Sequence, residues 1–424
     1  MIITPANNLS KVCFYVIIDP MTLNQKRIFL FTGVLISISL AAFLIIKIAS
    51  GYRPDLAKRT FQPTGLLVAT SIPNGASVYI DGKLKTATDN TLNLTPGEYD
   101  IEIKKDGFYP WKKRLTIKTE LVTKADAWLF STYPDLKALT FTGATNPVFS
   151  PDEQKVAFAV ATASTVNQGI WILDLADRPL GLNSQPHQVL QSAPKGKDLS
   201  TATYEWSPDT KQILLTIGKE SYLIDTGRLN LASGLTDISL GLTTLKKRWQ
   251  EEEQVKQDAK MARLPEKLTF ILENSVKNIQ FSPDETKIMY TATISATIPE
   301  GIVPPLTNPS TQKESRIIEP GKIYIYDLKE DKNFYITEAA PFEPPRIESK
   351  TKTKISWYPT SKHIFIVQSN KITVGEYDNT NWADVYTGPF EDSFAFPFPA
   401  GNRFLILTSI GKDTPPNLYA VTLR

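Results

Sequence analysis

The sequence predicts an all-β fold: one N-terminal transmembrane helix, a small antiparallel β-sandwich, and a β-propeller of five blades, with six left open. Three observations carry this. An uncharged apolar run of 19 residues stands near the N-terminus. Residues 64–133 alternate apolar and polar side chains at period two between clusters of Gly, Pro, Asn and Asp. From residue 134 to 424 a motif of the form aromatic-Ser-Pro-Asp recurs.

The apolar run is Ile28–Ile46. As a helix it rises about 28 Å, the thickness of a bilayer's hydrocarbon core. Lys26 and Arg27 precede it, and Lys47, Arg53, Lys58 and Arg59 follow. Nothing else in the chain suggests a helical core in which such a segment would be buried. A cleaved signal peptide is the alternative, with Ala49, Ser50 and Gly51 as the cleavage region. The run is longer than the roughly 7–15 residues of a signal's apolar stretch, which favours an uncleaved anchor. The chain then divides into an N-terminal cytoplasmic segment 1–27, a membrane helix 28–48 and a linker 49–63. Met21 is an alternative start. Cys13 is not a lipoprotein cysteine, because no apolar run leads into it.

Composition narrows the chemistry. The 47 basic and 44 acidic residues nearly cancel, giving a net charge of +3, which argues against a nucleic-acid partner. Cys13 is the only cysteine, so the part beyond the apolar run has no disulfide, thiolate zinc site or cysteine nucleophile. The two histidines, His187 and His363, are too few for a multi-histidine metal site. The 30 prolines favour turns over long helices.

In residues 64–133 the strands are expected at Gly65–Thr70, Ala76–Asp81, Thr91–Leu94, Glu98–Lys104, Arg114–Lys118 and Lys124–Phe130. Turns at Pro73-Asn74-Gly75, Asp81-Gly82-Lys83, Thr95-Pro96-Gly97 and Lys105-Asp106-Gly107 separate them. The run from Ile72 to Lys83, the stretch Thr95–Ile101 and the stretch Lys105–Trp111 together resemble the PEGA family. Pro-Asn-Gly-Ala stands where that family's name-giving stretch reads Pro-Glu-Gly-Ala. The resemblance implies an extracytoplasmic β-sandwich near a membrane anchor, with no catalytic residues to carry over. It also sets the expected orientation, with the C-terminal domains extracytoplasmic. The flanking charges lean slightly the other way, but large domains translocate largely regardless of charge. Tyr109 and Trp111 are candidate binding residues as an aromatic stacking surface. The same alternation equally places them in the core.

Five copies of the second motif are visible. They are Phe149-Ser150-Pro151-Asp152, Trp206-Ser207-Pro208-Asp209, Phe281-Ser282-Pro283-Asp284, Trp357-Tyr358-Pro359-Thr360 and Pro397-Phe398-Pro399-Ala400. A fully apolar strand follows each, and a third strand follows that, at Ile170–Leu175, Tyr222–Asp225, Ile323–Leu328, Ile372–Tyr377 and Leu418–Leu423. Strands apolar on both faces suit sheets stacked about an axis. The pattern resembles the TolB-like and WD-repeat-like propellers. The motif prolines lie 57, 75, 76 and 40 residues apart, so either long interval has room for a sixth blade.

The long intervals carry insertions. Residues 243–264 read as an exposed helix ended by Pro265 and supported by i, i+4 pairs such as Glu252 with Lys256. Leu245 and Trp249 share one face of it and are candidate binding residues for a partner or a pore cap. The alternative is a helix that merely packs on the propeller. Residues 294–320 are rich in Pro, Ser and Thr and read as a mobile surface loop.

There is no nucleophile elbow, Walker loop, zinc-protease motif or EF-hand spacing, so no catalytic, cofactor-binding or metal residue is assigned. Glu205, Asp209, Asp284 and Asp327 are the acids a propeller hydrolase or lyase would draw on, though the Ser-Pro-Asp acids fit turn formation. The expected function is a non-catalytic, membrane-anchored cell-envelope protein that binds a wall, surface or protein ligand. The alternatives are an enzyme acting on envelope carbohydrate or peptide, a self-assembling surface protein, and a form secreted after signal cleavage. The sequence sets no oligomeric state.

Overall fold

The structure is a computed structural model describing residues 23–49, 52–55, 60–161, 166–176, 185–304, 306, 309–339, 353–391, 393–411 and 414–424. Residues 1–22, with Cys13 and the alternative start at Met21, lie outside the described residues. Helix α1 spans Leu23–Ala49. Its segment Lys26–Ile48 is long and apolar enough to cross a membrane, and none of the described residues buries it. Its length and composition fit a membrane span and a signal sequence alike.

The sandwich has seven strands, one more than the alternation shows. One sheet orders Lys83–Ala87, Ser77–Ile80, Gly97–Lys104 and Trp111–Ile117; the other orders Asn90–Leu94, Gly65–Ile72 and Val122–Trp128. The unforeseen strand, Lys83–Ala87, lies at a sheet edge and buries none of its side chains, so it carries no apolar period to read. Leu67, Val78, Ile101, Ile103, Ile117 and Ala125 form the core between the sheets.

Five further sheets form the blades of the propeller. Blade 1 runs from Thr145–Phe149 through Lys155–Val160 and Gly169–Asp174 to His187–Gln191. Blade 2 has three strands, Thr203–Trp206, Gln212–Ile217 and Glu220–Asp225. Blade 3 comprises Val276–Phe281, Lys287–Ala292, Lys322–Asp327 and Lys332–Glu338. Blade 4 comprises Lys354–Trp357, His363–Val367, Lys371–Glu376 and Ala383–Thr387. Blade 5 comprises Ala395–Pro397, Arg403–Thr408 and Asn417–Thr422, and is completed at its outer edge by Asp135–Ala138 from the start of the domain. Among the described residues no sixth blade occupies either long interval.

All five motif copies fold into one turn. The residue two after each proline is left-handed: Glu153 (φ 62°), Thr210 (62°), Glu285 (56°), Ser361 (57°) and Gly401 (64°). Each donates its N–H to the carbonyl three residues back, at 2.8–3.0 Å. In the three full copies the serine hydroxyl also donates to the aspartate, as Ser207 does to Asp209 Oδ1 at 2.7 Å, and accepts the backbone N–H five residues on. Hydroxyl and carboxylate thus satisfy the turn's own groups. The two degenerate copies keep the backbone pattern without the serine, so proline and a left-handed third residue suffice.

The insertion after blade 2 holds two helices. Helix α2 is Leu242–Met261 and α3 is Glu266–Ser275. The second was not foreseen because Pro265 reads as a stop; it sits instead at the N-cap of α3, where its missing N–H costs nothing. Lys256 does not bridge to Glu252 but donates to Pro208 O at 2.8 Å, in the turn of blade 2. Two i, i+4 pairs on this helix are Lys247 with Glu251 at 3.8 Å and Gln254, which donates to Asp258 at 2.7 Å.

The described residues of 294–320 are tied down rather than forming a loose loop. Ala296–Thr297 pairs with Ile317–Ile318, and Ile298 and Ile318 are buried against blade 3. Arg316 pairs with Glu314 and Asp331. Thr311 Oγ1 reaches the sandwich, donating to Arg114 O at 2.7 Å.

Candidate functional site

The sandwich docks on the turns and strand ends of blades 4 and 5. Phe130 leaves the sandwich to join the core between those blades, beside Tyr358, Phe365, Phe404 and Val421. Ser131 N donates to Leu423 O at 3.0 Å, which fixes the connecting strand to the C-terminal strand. Around this apolar contact lies a buried ionic cluster. Lys113 places its ammonium 2.5 Å from both Glu376 Oε2 and Asp378 Oδ2, with all three side chains at most 11% exposed. Glu376 Oε1 accepts from Trp111 Nε1 at 2.5 Å and from Asn381 Nδ2 at 3.0 Å. Lys112 N donates to Asn381 Oδ1.

The cluster sets one cation between two acids. Burial opposes the Lys113 ammonium, but Glu376 and Asp378 more than reverse this and raise its pKa. Burial raises the Glu376 pKa, and Lys113 offsets only part of that rise. Beside the cluster, His363 is held neutral. Burial first, then the nearby Lys113 and Lys362, lower its pKa to about 3. Its Nδ1 is 2.8 Å from Thr360 Oγ1, and Phe130 meets its ring edge-on.

This junction engages the two candidate aromatics of the sandwich. Trp111 is 4% exposed, and Tyr109 OH donates to Asp384 O at 2.8 Å. Trp111 packs in the sandwich core and reaches the propeller through its Nε1 alone, while Tyr109 packs against the core between blades 4 and 5. Leu245 and Trp249 are likewise buried, at 8% and 6% exposure, and pack on Leu214 of blade 2. The exposed length of α2 is its middle, Gln250–Lys256.

The four acids do not converge. Glu205 is the single carboxylate on the innermost strands, and it pairs with Lys246 at 2.9 Å. Asp209 and Asp284 close their own turns. Asp327 lies in the third strand of blade 3, 3.4 Å from Lys287. Among the described residues no group of three His, Cys, Asp or Glu is placed to hold a metal ion.

Lys113, Glu376, Asp378 and Asn381 were not foreseen. The only local signal is the polar run Glu376–Asn381 after an apolar strand, and nothing in it points to a lysine more than 260 residues away.

With this geometry in place, comparison with known proteins gives the class. Residues 64–131 match the PEGA domain family. The chain thus carries a PEGA domain beside a β-propeller, in general terms a surface or binding module. No curated protein matches the chain. Similar solved structures include a luciferin-regenerating enzyme, at 9% identity over 68% of this chain and 95% of that one, with a TM-score of 0.28. Another is the WD40 repeats of RRP9, at 8% identity over 68% of this chain and 98% of that one, with a TM-score of 0.29. The propeller rests on the five sheets described above, not on these likenesses.

Proposed function

We propose that the protein is a non-catalytic, membrane-anchored scaffold of the cell envelope, with its sandwich and propeller extracytoplasmic and presented to a wall, surface or protein ligand. The observation that carries this reading is the fixed junction. Lys113, Glu376, Asp378 and Trp111 join the sandwich to blade 4 through buried polar contacts. A presenting scaffold needs such a constant relation between anchor-proximal and distal parts. The uncovered apolar surface of α1 supports membrane anchoring.

The test is fractionation of the full chain in a bacterial host, followed by incubation of the detergent-solubilised protein with cell-wall sacculi. Resistance to alkaline carbonate extraction, protease access to the propeller from outside the inner membrane and sedimentation with sacculi are expected. A soluble or cytoplasm-facing propeller would refute the anchored orientation. Turnover of envelope glycan or peptide by the purified chain would refute the non-catalytic reading.

A further inference from the structure

Four of the five seams in the ring are closed by one blade packing directly on the next. Between blades 1 and 2, Ala157, Ile170 and Ile172 meet Trp206, Ile213 and Leu215. Blades 3 and 4 share Met289, Ile325, Ile355 and Trp357. Blades 4 and 5 share Phe365, Val374, Phe404 and Ile406, and blades 5 and 1 share Phe396, Leu405, Val156 and Phe158.

The motif aromatics reinforce three of these seams in one way. Each reaches the residue three before the motif proline of the preceding blade. Trp206 Nε1 donates to Val148 O at 3.1 Å, and Trp357 Nε1 to Gln280 O at 3.0 Å. Phe149 stacks on Phe396 with ring centroids 4.1 Å apart.

By the same rule Phe281 of blade 3 should meet Glu205 of blade 2. Here α2 engages each of them. Lys246 pairs with Glu205 at 2.9 Å, and the Lys260 ammonium lies 5.6 Å from the centre of the Phe281 ring. These two lysines are fourteen positions apart on one helix, about 21 Å along its axis. The helices therefore stand in the seam as a wedge.

The wedge grips its two neighbours unequally. On blade 3, Leu268, Ile271 and Leu272 of α3 join Ile288, Tyr290 and Tyr324 in one core, with Met261 and Leu264 packed against it. On blade 2 the core is only Leu245 and Trp249 against Leu214, edged by Leu223 and Ile238. The Lys246–Glu205 pair beside it is half exposed on both sides and adds little. Between the two grips, Gln250–Val255 is exposed, and Lys256 adds a single hydrogen bond to blade 2, donating to Pro208 O at 2.8 Å.

We propose that the propeller is a hinged ring. Blade 3 and the α2–α3 wedge move together against blade 2, with the joint at Leu245, Trp249 and Glu205, while the other four seams hold. Hinge motions use the least stable contact in a fold, and this seam has the smallest apolar core of the five.

The test is pulsed electron spin resonance on the full chain in detergent, in a Cys13→Ser background. Nitroxides go on exposed turns that follow the second strand of each blade. Lys219→Cys with Ile294→Cys spans the wedge; Asn370→Cys with Ile410→Cys spans the seam of blades 4 and 5. The first distance distribution is expected to be about twofold broader than the second, or bimodal. Trp249→Ala should broaden the first further and leave the second unchanged. Equal narrow widths at both seams in the parent background would overturn the proposal by themselves. So would a Trp249→Ala change that appeared equally at both seams.

Discussion

The ammonium of Lys113, on a sandwich strand, lies 2.5 Å from the Asp378 carboxylate, in the turn after the third strand of blade 4. A second acid, Glu376, lies at the same distance. Lys113→Met would leave two buried carboxylates with no cation. Breaking such a pair from one side costs about 3–5 kcal/mol. The expected outcome is a sandwich that separates from the propeller before either unfolds. Chymotryptic cleavage after Phe130, which the junction buries, should then precede global unfolding. If Lys113→Met unfolds in one step at the parent's midpoint, the junction is not what joins the domains.

His363 gives the junction a pH dependence of definite sign. Its pKa falls from 6.5 to about 3 on folding, chiefly by burial. A lowered value means the unfolded chain binds the proton more readily. The associated stability is therefore present above pH 6.5 and lost progressively as pH falls toward 3. A shift of that size corresponds to roughly 4–5 kcal/mol over the whole window. Urea midpoints between pH 7.5 and 4 should fall steeply in the parent. In His363→Asn, which keeps a polar atom for Thr360, the slope should be shallower whatever the starting stability. Parallel slopes would mean that His363 is not buried neutral.

The repeated turns separate a structural role from a chemical one. Ser207 is 2% exposed and accepts Gln212 N while donating to Asp209. Ser207→Ala orphans a buried backbone N–H and should cost about 1–3 kcal/mol. Thr210 is β-branched and sits at φ 62°, where only glycine is unstrained. Thr210→Gly should raise stability by about 1 kcal/mol. Calorimetric melting of the two variants checks both signs. A Thr210→Gly protein that melts lower would show that the threonine side chain supports the turn.

The blades were legible because their signals are local. Proline and an apolar strand after it recur within ten residues of chain, with an aromatic two residues before the proline in four copies, and even Pro397–Ala400, with Pro397 at that position, folds as the others do. The sandwich was legible where its strands alternate and silent at Lys83–Ala87, whose side chains are all exposed or half-buried. Tyr109, Trp111, Leu245 and Trp249 stood out as aromatic or apolar residues, but their environment depends on partners far away in the chain. Glu376 for Trp111 and Leu214 for Trp249 carry no mark in the sequence that pairs them. The wedge escaped notice for the same reason: periodicity shows that a helix forms, not which two sheets it stands between.

Proline content alone suggested that residues 294–320 move freely, and their anchoring can be tested directly. Arg316 is 17% exposed and holds the segment to blade 3 through Asp331, which also accepts from Tyr326 OH and from Gly301 N. Burial would raise the Asp331 pKa, but Tyr326, Gly301 and Arg316 together lower it. This stability is therefore present above the ordinary aspartate range and lost as pH falls below it. Native trypsin digestion at pH 8 should cut slowly after Arg316, since cleavage tracks the fraction of molecules in which the segment has opened. Asp331→Asn removes the charge but keeps the shape. The expected result is cleavage after Arg316 about tenfold faster, the equivalent of about 1.4 kcal/mol in the opening equilibrium. Cleavage at the rate of an unstructured peptide in the parent protein would show that the segment is held by nothing, and the Thr311 contact to Arg114 could then not bridge propeller and sandwich.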